Sequence, residues 1–154
     1  MALRGRYIME NYIVNGSTKA LIYEERHTVV YEFETSFIVN KTPLDIIRES
    51  CLYYGSSLDG RVSASRNMLN CNYKLPIIVE EVGNLVFFPI SSIKNKENSW
   101  FALSYVNNIL KFDNKSIIKL DCGVSLNVNS SKFSLETQML KASRLLLILN
   151  QRKQ

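Results

Sequence analysis

Residues 29–39 carry a period-two alternation, plainest from Tyr31 to Thr35. Val29, Tyr31 and Phe33 lie on one parity, with Thr35 continuing it, and Glu32 and Glu34 take the other. A period of two marks a strand with one face in a core and one in water. A strand needs partners, and the chain supplies them as short apolar segments between turn signals. Tyr12 and Val14 alternate around Ile13 and stop at Asn15-Gly16, a tight-turn pair. Residues 20–23 follow as a second short strand, and the polar stretch 24–28 has the composition of a hairpin turn. Residues 77–79 and 85–88 flank Gly83-Asn84. Residues 100–106, 109–112, 117–120 and 124–128 complete the set, with Asp113-Asn114 and Cys122-Gly123 between them.

Two segments change period. In residues 42–55, Thr42 can cap a helix and Pro43 suits its first position. Asp45 favours the positive end of the helix dipole. Leu44, Ile47 and Cys51 form the apolar stripe, and Gly55 supplies a left-handed stop. In residues 133–150, Leu135, Met139, Ala142, Leu146 and Leu149 recur at helical spacing, and Leu140, Leu145, Leu147 and Ile148 widen the stripe. A helix apolar on so many sides must bury most of its surface. That makes self-association an expectation, beside the plainer reading of a well-buried helix. Arg152 and Lys153 suit the end of its dipole. Residues 56–75 show neither period and are expected to be irregular. The predicted fold class is α+β: one domain over 1–154, a mostly antiparallel sheet, one helix after the first strands and one at the C-terminus.

Its 154 residues suffice for a core without staples. Cys51, Cys71 and Cys122 are odd in number and widely spaced, which argues against a disulfide framework. With His27 as the single histidine, no closely spaced zinc ligands exist, so neither metal nor cofactor is expected. The cysteines are expected to be small buried or half-buried thiols. No apolar run is long enough to span a bilayer, and Met1–Glu10 lacks the apolar stretch of a signal peptide, so a cytoplasmic location is expected. The net charge is +5, with nine basic against eight acidic groups in residues 1–75 and ten against six in 76–154. Such an excess permits a nucleic-acid partner without requiring one.

Catalytic constellations are sparse. A Cys-His pair would need His27, which sits among solvated polar residues. Glu24-Glu25 and Glu80-Glu81 are adjacent, so on strands they would face opposite ways. No Walker loop, dinucleotide fingerprint or HExxH segment occurs. An enzyme is not expected; its best candidate would use Cys51 as nucleophile. More informative is Gly55-Ser56-Ser57-Leu58-Asp59-Gly60-Arg61. Its hydroxyls and amides could donate to an anion, and Arg61 offers a planar fork for phosphate. The alternative is structural: Gly55 ends the helix, the serines satisfy carbonyls, and Arg61 pairs with an acid such as Asp59. Arg66 and Lys74 follow. The segment 91–96, with Lys94 and Lys96, is an exposed loop that could grip phosphates or enter a minor groove, or simply be solvated. No basic recognition helix stands out, since residues 42–54 hold Arg48 as their one cation.

These segments, taken in order, resemble the ComK family. The likeness is carried by Tyr12-x-Val14-Asn15-Gly16, Pro43-Leu44-x-Ile46 and Ser50-Cys51-x-x-x-Gly55-Ser56-Ser57-x-x-Gly60-Arg61. It continues through Pro76-Ile77-x-Val79, Phe87-Phe88-Pro89, Ser91-Ser92 and Trp100, covering roughly residues 10–105. The resemblance implies a transcriptional activator of competence genes, those of DNA uptake and recombination. It implies binding as a homo-oligomer to AT-rich promoter boxes in double-stranded DNA through the minor groove, with RNA polymerase as a further partner and nucleoid association when bound. The site expected on this reading comprises Ser56, Ser57, Arg61, Arg66, Lys94 and Lys96. The family's best-known member has a C-terminal tail read by a proteolytic adaptor; residues 130–154 do not match it, which leaves adaptor recognition open. The rival function is an interaction module without DNA binding that forms mixed dimers with a full-length homologue.

Overall fold

The computed structural model describes residues 8–33 and 35–154; residues 1–7 and Glu34, which the sequence reading set within the segment 29–39, lie outside the described residues. The fold is α+β. Along the chain run β1 (Ile8–Met9), β2 (Thr18–Glu24), β3 (His27–Glu32), β4 (Thr35–Val39), α1 (Pro43–Tyr53) and α2 (Leu58–Leu69). Then come β5 (Ile77–Glu80), β6 (Leu85–Pro89), β7 (Trp100–Ala102), β8 (Val106–Phe112), β9 (Lys115–Leu120), β10 (Ser125–Val128) and α3 (Lys132–Arg152). A seven-stranded sheet has the order β1-β4-β3-β2-β7-β6-β5, and β8–β10 form a separate three-stranded meander. Every pairing is antiparallel except β1 with β4.

The turn chemistry explains where strands stop. Glu25 and Arg26 both take positive φ between β2 and β3, as a two-residue hairpin requires. Asn84 and Asp113 adopt the same left-handed region in the β5–β6 and β8–β9 hairpins. Phe33, at φ 54, breaks the alternating segment 29–39 into β3 and β4. Two further expectations give way. Residues 100–106 are interrupted by a 3-10 turn, Leu103–Tyr105. Residues around Ile13 join no ladder, because α1 takes the backbone of Val14: its N–H donates to Ser50 Oγ at 2.9 Å, and its carbonyl accepts from the Tyr54 hydroxyl at 2.7 Å.

The larger sheet is a middle layer, and side-chain parity assigns its two faces. Leu21, Ile77, Val79, Phe87, Trp100 and Ala102 pack with Leu44, Ile46, Ile47 and Cys51 of α1 and Leu58 of α2. The opposite parity, Ala20, Ile78, Val86, Phe88 and Phe101, packs with Ile109, Ile118, Leu120 and Val128 of the meander and with Leu135, Ala142, Leu145 and Leu149 of α3. Covering both faces is why β5–β7 are continuously apolar instead of alternating. The meander is also fastened by a buried charge. Lys19, on β2, meets Asp121, beyond β9, at 2.8 Å with its side chain only 8% exposed. The Asp121 hydrogen bond holds the Lys19 ammonium above its ordinary range, and the ammonium lies 5.0 Å from the centroid of the Tyr105 ring.

Candidate nucleic-acid interface

The stretch expected to be irregular contains α2. Its residues include the weak helix formers Gly60, Ser63, Ser65 and Asn67, but both ends are capped. Ser57 Oγ accepts from the Gly60 amide at 2.9 Å, Asp59 lies in the first turn, and Asn70 closes the helix in a left-handed conformation. The preceding corner is closed as well. The Gly55 amide donates to Leu52 O and the Ser56 amide to Cys51 O, both at 3.0 Å, which is the Schellman pattern with Gly55 at φ 88. A β-carbon at Gly60 would lie 3.1 Å from Ser57 Oγ and 3.3 Å from Ser56 Oγ, so the absence of one makes room for both hydroxyls. The amides that the sequence offered to an anion thus close a helix–helix corner.

Arg61 follows the structural alternative, with a different acid from the one expected. Its side chain is 12% exposed, and its guanidinium lies 3.8 Å from Glu81, not paired to Asp59. Its Nε has no partner among the described residues. Beyond it, α2 presents Val62 and Arg66 to a groove that also takes Leu44 and Arg48 of α1, Tyr73 and Lys74 of the following segment, and Ser92 to Lys94 of the loop after β6. The groove therefore gathers Arg48, Arg66, Lys74 and Lys94 around Asp59, its one acidic lining residue. Arg48 also reaches Asp45 at 3.1 Å on an exposed surface, a contact worth little in water. Tyr73, exposed at 61%, lies beside Lys74, whose ammonium is 5.6 Å from the ring centroid. Of the expected residues, Arg66 and Lys94 meet here, Lys96 is exposed farther along the same loop, and Ser56, Ser57 and Arg61 do not line the groove.

The groove walls are held by hydrogen bonds to backbone. Gln138 of α3 is buried and donates to Lys74 O at 2.8 Å and Pro89 O at 3.0 Å. Lys141 donates to Tyr73 O at 2.7 Å, and the buried Ser65 hydroxyl to Pro76 O at 2.7 Å. The lysine loop is organised by Asn98, which is 1% exposed. Its Oδ1 accepts from the Ile90 and Ser91 amides and its Nδ2 donates to Ser91 O and Ser92 O. The loop is therefore pinned at its base, and Lys94 and Lys96 extend into water from a fixed frame. Arg48 and Tyr73 were missed by sequence reasoning, and Lys74 was noted only as following Arg61, because no spacing links residue 48 to residues 73, 74 and 94.

Cys51 is fully buried, and burial pushes its thiol up to about 11, so it lacks the thiolate a nucleophile needs at neutral pH. Cys71 and Cys122 are half-buried free thiols. Among the described residues no helix is long and apolar enough to cross a membrane.

Comparison with known proteins adds to this geometry. The family model described as ComK protein matches residues 9–154. The competence transcription factor of Bacillus subtilis (strain 168) is 28% identical over 141 residues, which cover 88% of this chain and 73% of that protein. No solved structure matches. The family match runs to residue 154 and takes in the meander and α3, past the stretch in which the motifs can be recognised by eye.

Proposed function

The chain belongs to the ComK family, and we propose that it is a DNA-binding transcriptional activator of competence genes that contacts AT-rich promoter boxes through the minor groove. The observation that carries this reading is the groove in which Arg48, Arg66, Lys74 and Lys94 converge with one opposing acid, in a protein similar to a competence transcription factor. The cations neutralise phosphates of one duplex segment. Lys94 and Lys96, on the pinned loop, reach into a narrow minor groove, where A·T-rich sequence concentrates negative potential. Tyr73 offers a flat apolar face beside the backbone. Ser57 and Arg61 act indirectly, by fixing the start of α2 and so the position of Arg66. Recognition uses loop and helix-side cations, in keeping with an α1 whose one basic residue is Arg48. Two copies acting together would read two boxes, with RNA polymerase recruited to the bound promoter.

The test is binding of the purified chain to an AT-rich promoter duplex across a salt series. Four neutralised phosphates give a slope of log K against log salt of about −3.6. Arg66→Ala and Lys94→Ala each weaken binding to all sequences and flatten the slope by about one unit. An A·T-selective minor-groove ligand competes. A flat salt response, or unchanged affinity in the double variant with its fold intact, overturns the proposal and leaves the interaction-module reading.

A further inference from the structure

We propose that α3 is the contact between two copies of this chain, packed antiparallel about a two-fold axis beside Leu140. The inference deepens the two-copy part of the reading above and rests on it. Leu135, Ala142, Leu145 and Leu149 are buried against the middle sheet and the meander. On the opposite side Phe133, Leu140 and Leu147 are 80%, 71% and 55% exposed. They stand seven residues apart, and a seven-residue step drifts only about 20° around an α-helix. The three therefore form a nearly straight apolar seam along the outer face, the pattern by which one helix packs on another.

Charge beside the seam selects the occupant and its direction. Glu136 and Arg144 are exposed and have no ion-pair partner among the described residues. Each lies four residues from Leu140, one before it and one after. In a parallel pair Glu136 would meet its own copy, and so would Arg144, with like charges at one level. An antiparallel pair centred on Leu140 instead sets Glu136 level with Arg144 of the second copy, twice by symmetry. The same operation sets Phe133 against Leu147 and Leu140 against itself. This is a self-complementary, isologous surface. α1, which supplies Arg48 to the basic groove, packs on the other face of the middle sheet.

Sedimentation equilibrium of the full chain without DNA tests the proposal. The expected species has twice the 17.7 kDa of one chain. Leu140→Glu, at an exposed position, gives the single-chain mass with an unchanged circular dichroism spectrum. Glu136→Arg and Arg144→Glu each weaken the dimer, and the double charge swap restores it. A single-chain mass for the unaltered protein at every soluble concentration overturns the proposal. So does a double swap as weak as either single change. A dimer that binds no DNA supports this interface and counts against the DNA reading alone; a DNA-binding monomer does the reverse.

Discussion

Asn98 contributes more than its size suggests, because one buried amide satisfies four backbone groups at the base of the lysine loop. Asn98→Ala strips the Ser91 amide and the Ser91 and Ser92 carbonyls of these bonds, while the Ile90 amide keeps Ser99 O at 3.2 Å, at a cost of about 1–3 kcal/mol. The expected outcome is a lower melting temperature and weaker promoter binding, with hydrogen exchange accelerated at Ser91. Cys51 makes a pH prediction. Its thiol is raised to about 11 by burial, whereas in the unfolded chain it ionises near 9. Between those values the unfolded state has lost a proton that the native state keeps, so stability falls as pH rises through the window, by about 3 kcal/mol in all. Tyr12, raised by burial and by its bond to Glu32, acts in the same direction at higher pH. Urea melts of Cys51→Ala should show a flatter decline from pH 9 to 11 than the unaltered chain; an equal decline refutes the assignment. Neither role could be read from the sequence, since a cysteine in an apolar stripe and an asparagine in a polar loop carry no mark of burial or of four hydrogen bonds.

At the scale of elements, α1 and most of the strands were legible because each carries its own signal, whereas β1 was not expected and the strand expected at Tyr12 to Val14 joins no ladder. Thr42 and Pro43 start α1, and Gly55 ends it. α2 was not legible, because Gly60, Ser63, Ser65 and Asn67 interrupt its interior and its one strong signal, the Ser57 cap, is shared with anion-binding loops. Tertiary packing overrides weak propensity there: Leu58 is buried in the α1 cluster, and Ser65 is tied to Pro76. Ser57→Ala should cost about 1 kcal/mol, seen as a melting shift of about 2–4 °C, with DNA affinity reduced less than by Arg66→Ala. A loss of affinity equal to that of Arg66→Ala, at unchanged stability, would instead make the Ser57 hydroxyl a direct contact.

For the whole molecule, the joint between the two sheets is the informative feature. Lys19 is buried and Asp121 half-exposed, so Asp121→Ala strands an ammonium in a largely dry position. The expected loss is about 2 kcal/mol, less than for a fully enclosed pair, and Lys19→Met in the same chain should recover part of it; a double variant no more stable than Asp121→Ala refutes the clamp. What the sequence determined by itself is local. Alternation and unbroken apolar runs marked the strands, turn pairs set their ends, and the order of short motifs carried the family likeness, because period, capping and φ preference act over a few neighbouring residues. The tertiary structure decided which distant segments meet. It placed β7 between β2 and β6, turned Arg61 toward Glu81, and drew Arg48, Arg66, Lys74 and Lys94 into one groove. The side-chain contacts that fix these meetings join residues far apart in the chain, and burial of apolar surface, which drives them, is non-directional and leaves no spacing to read.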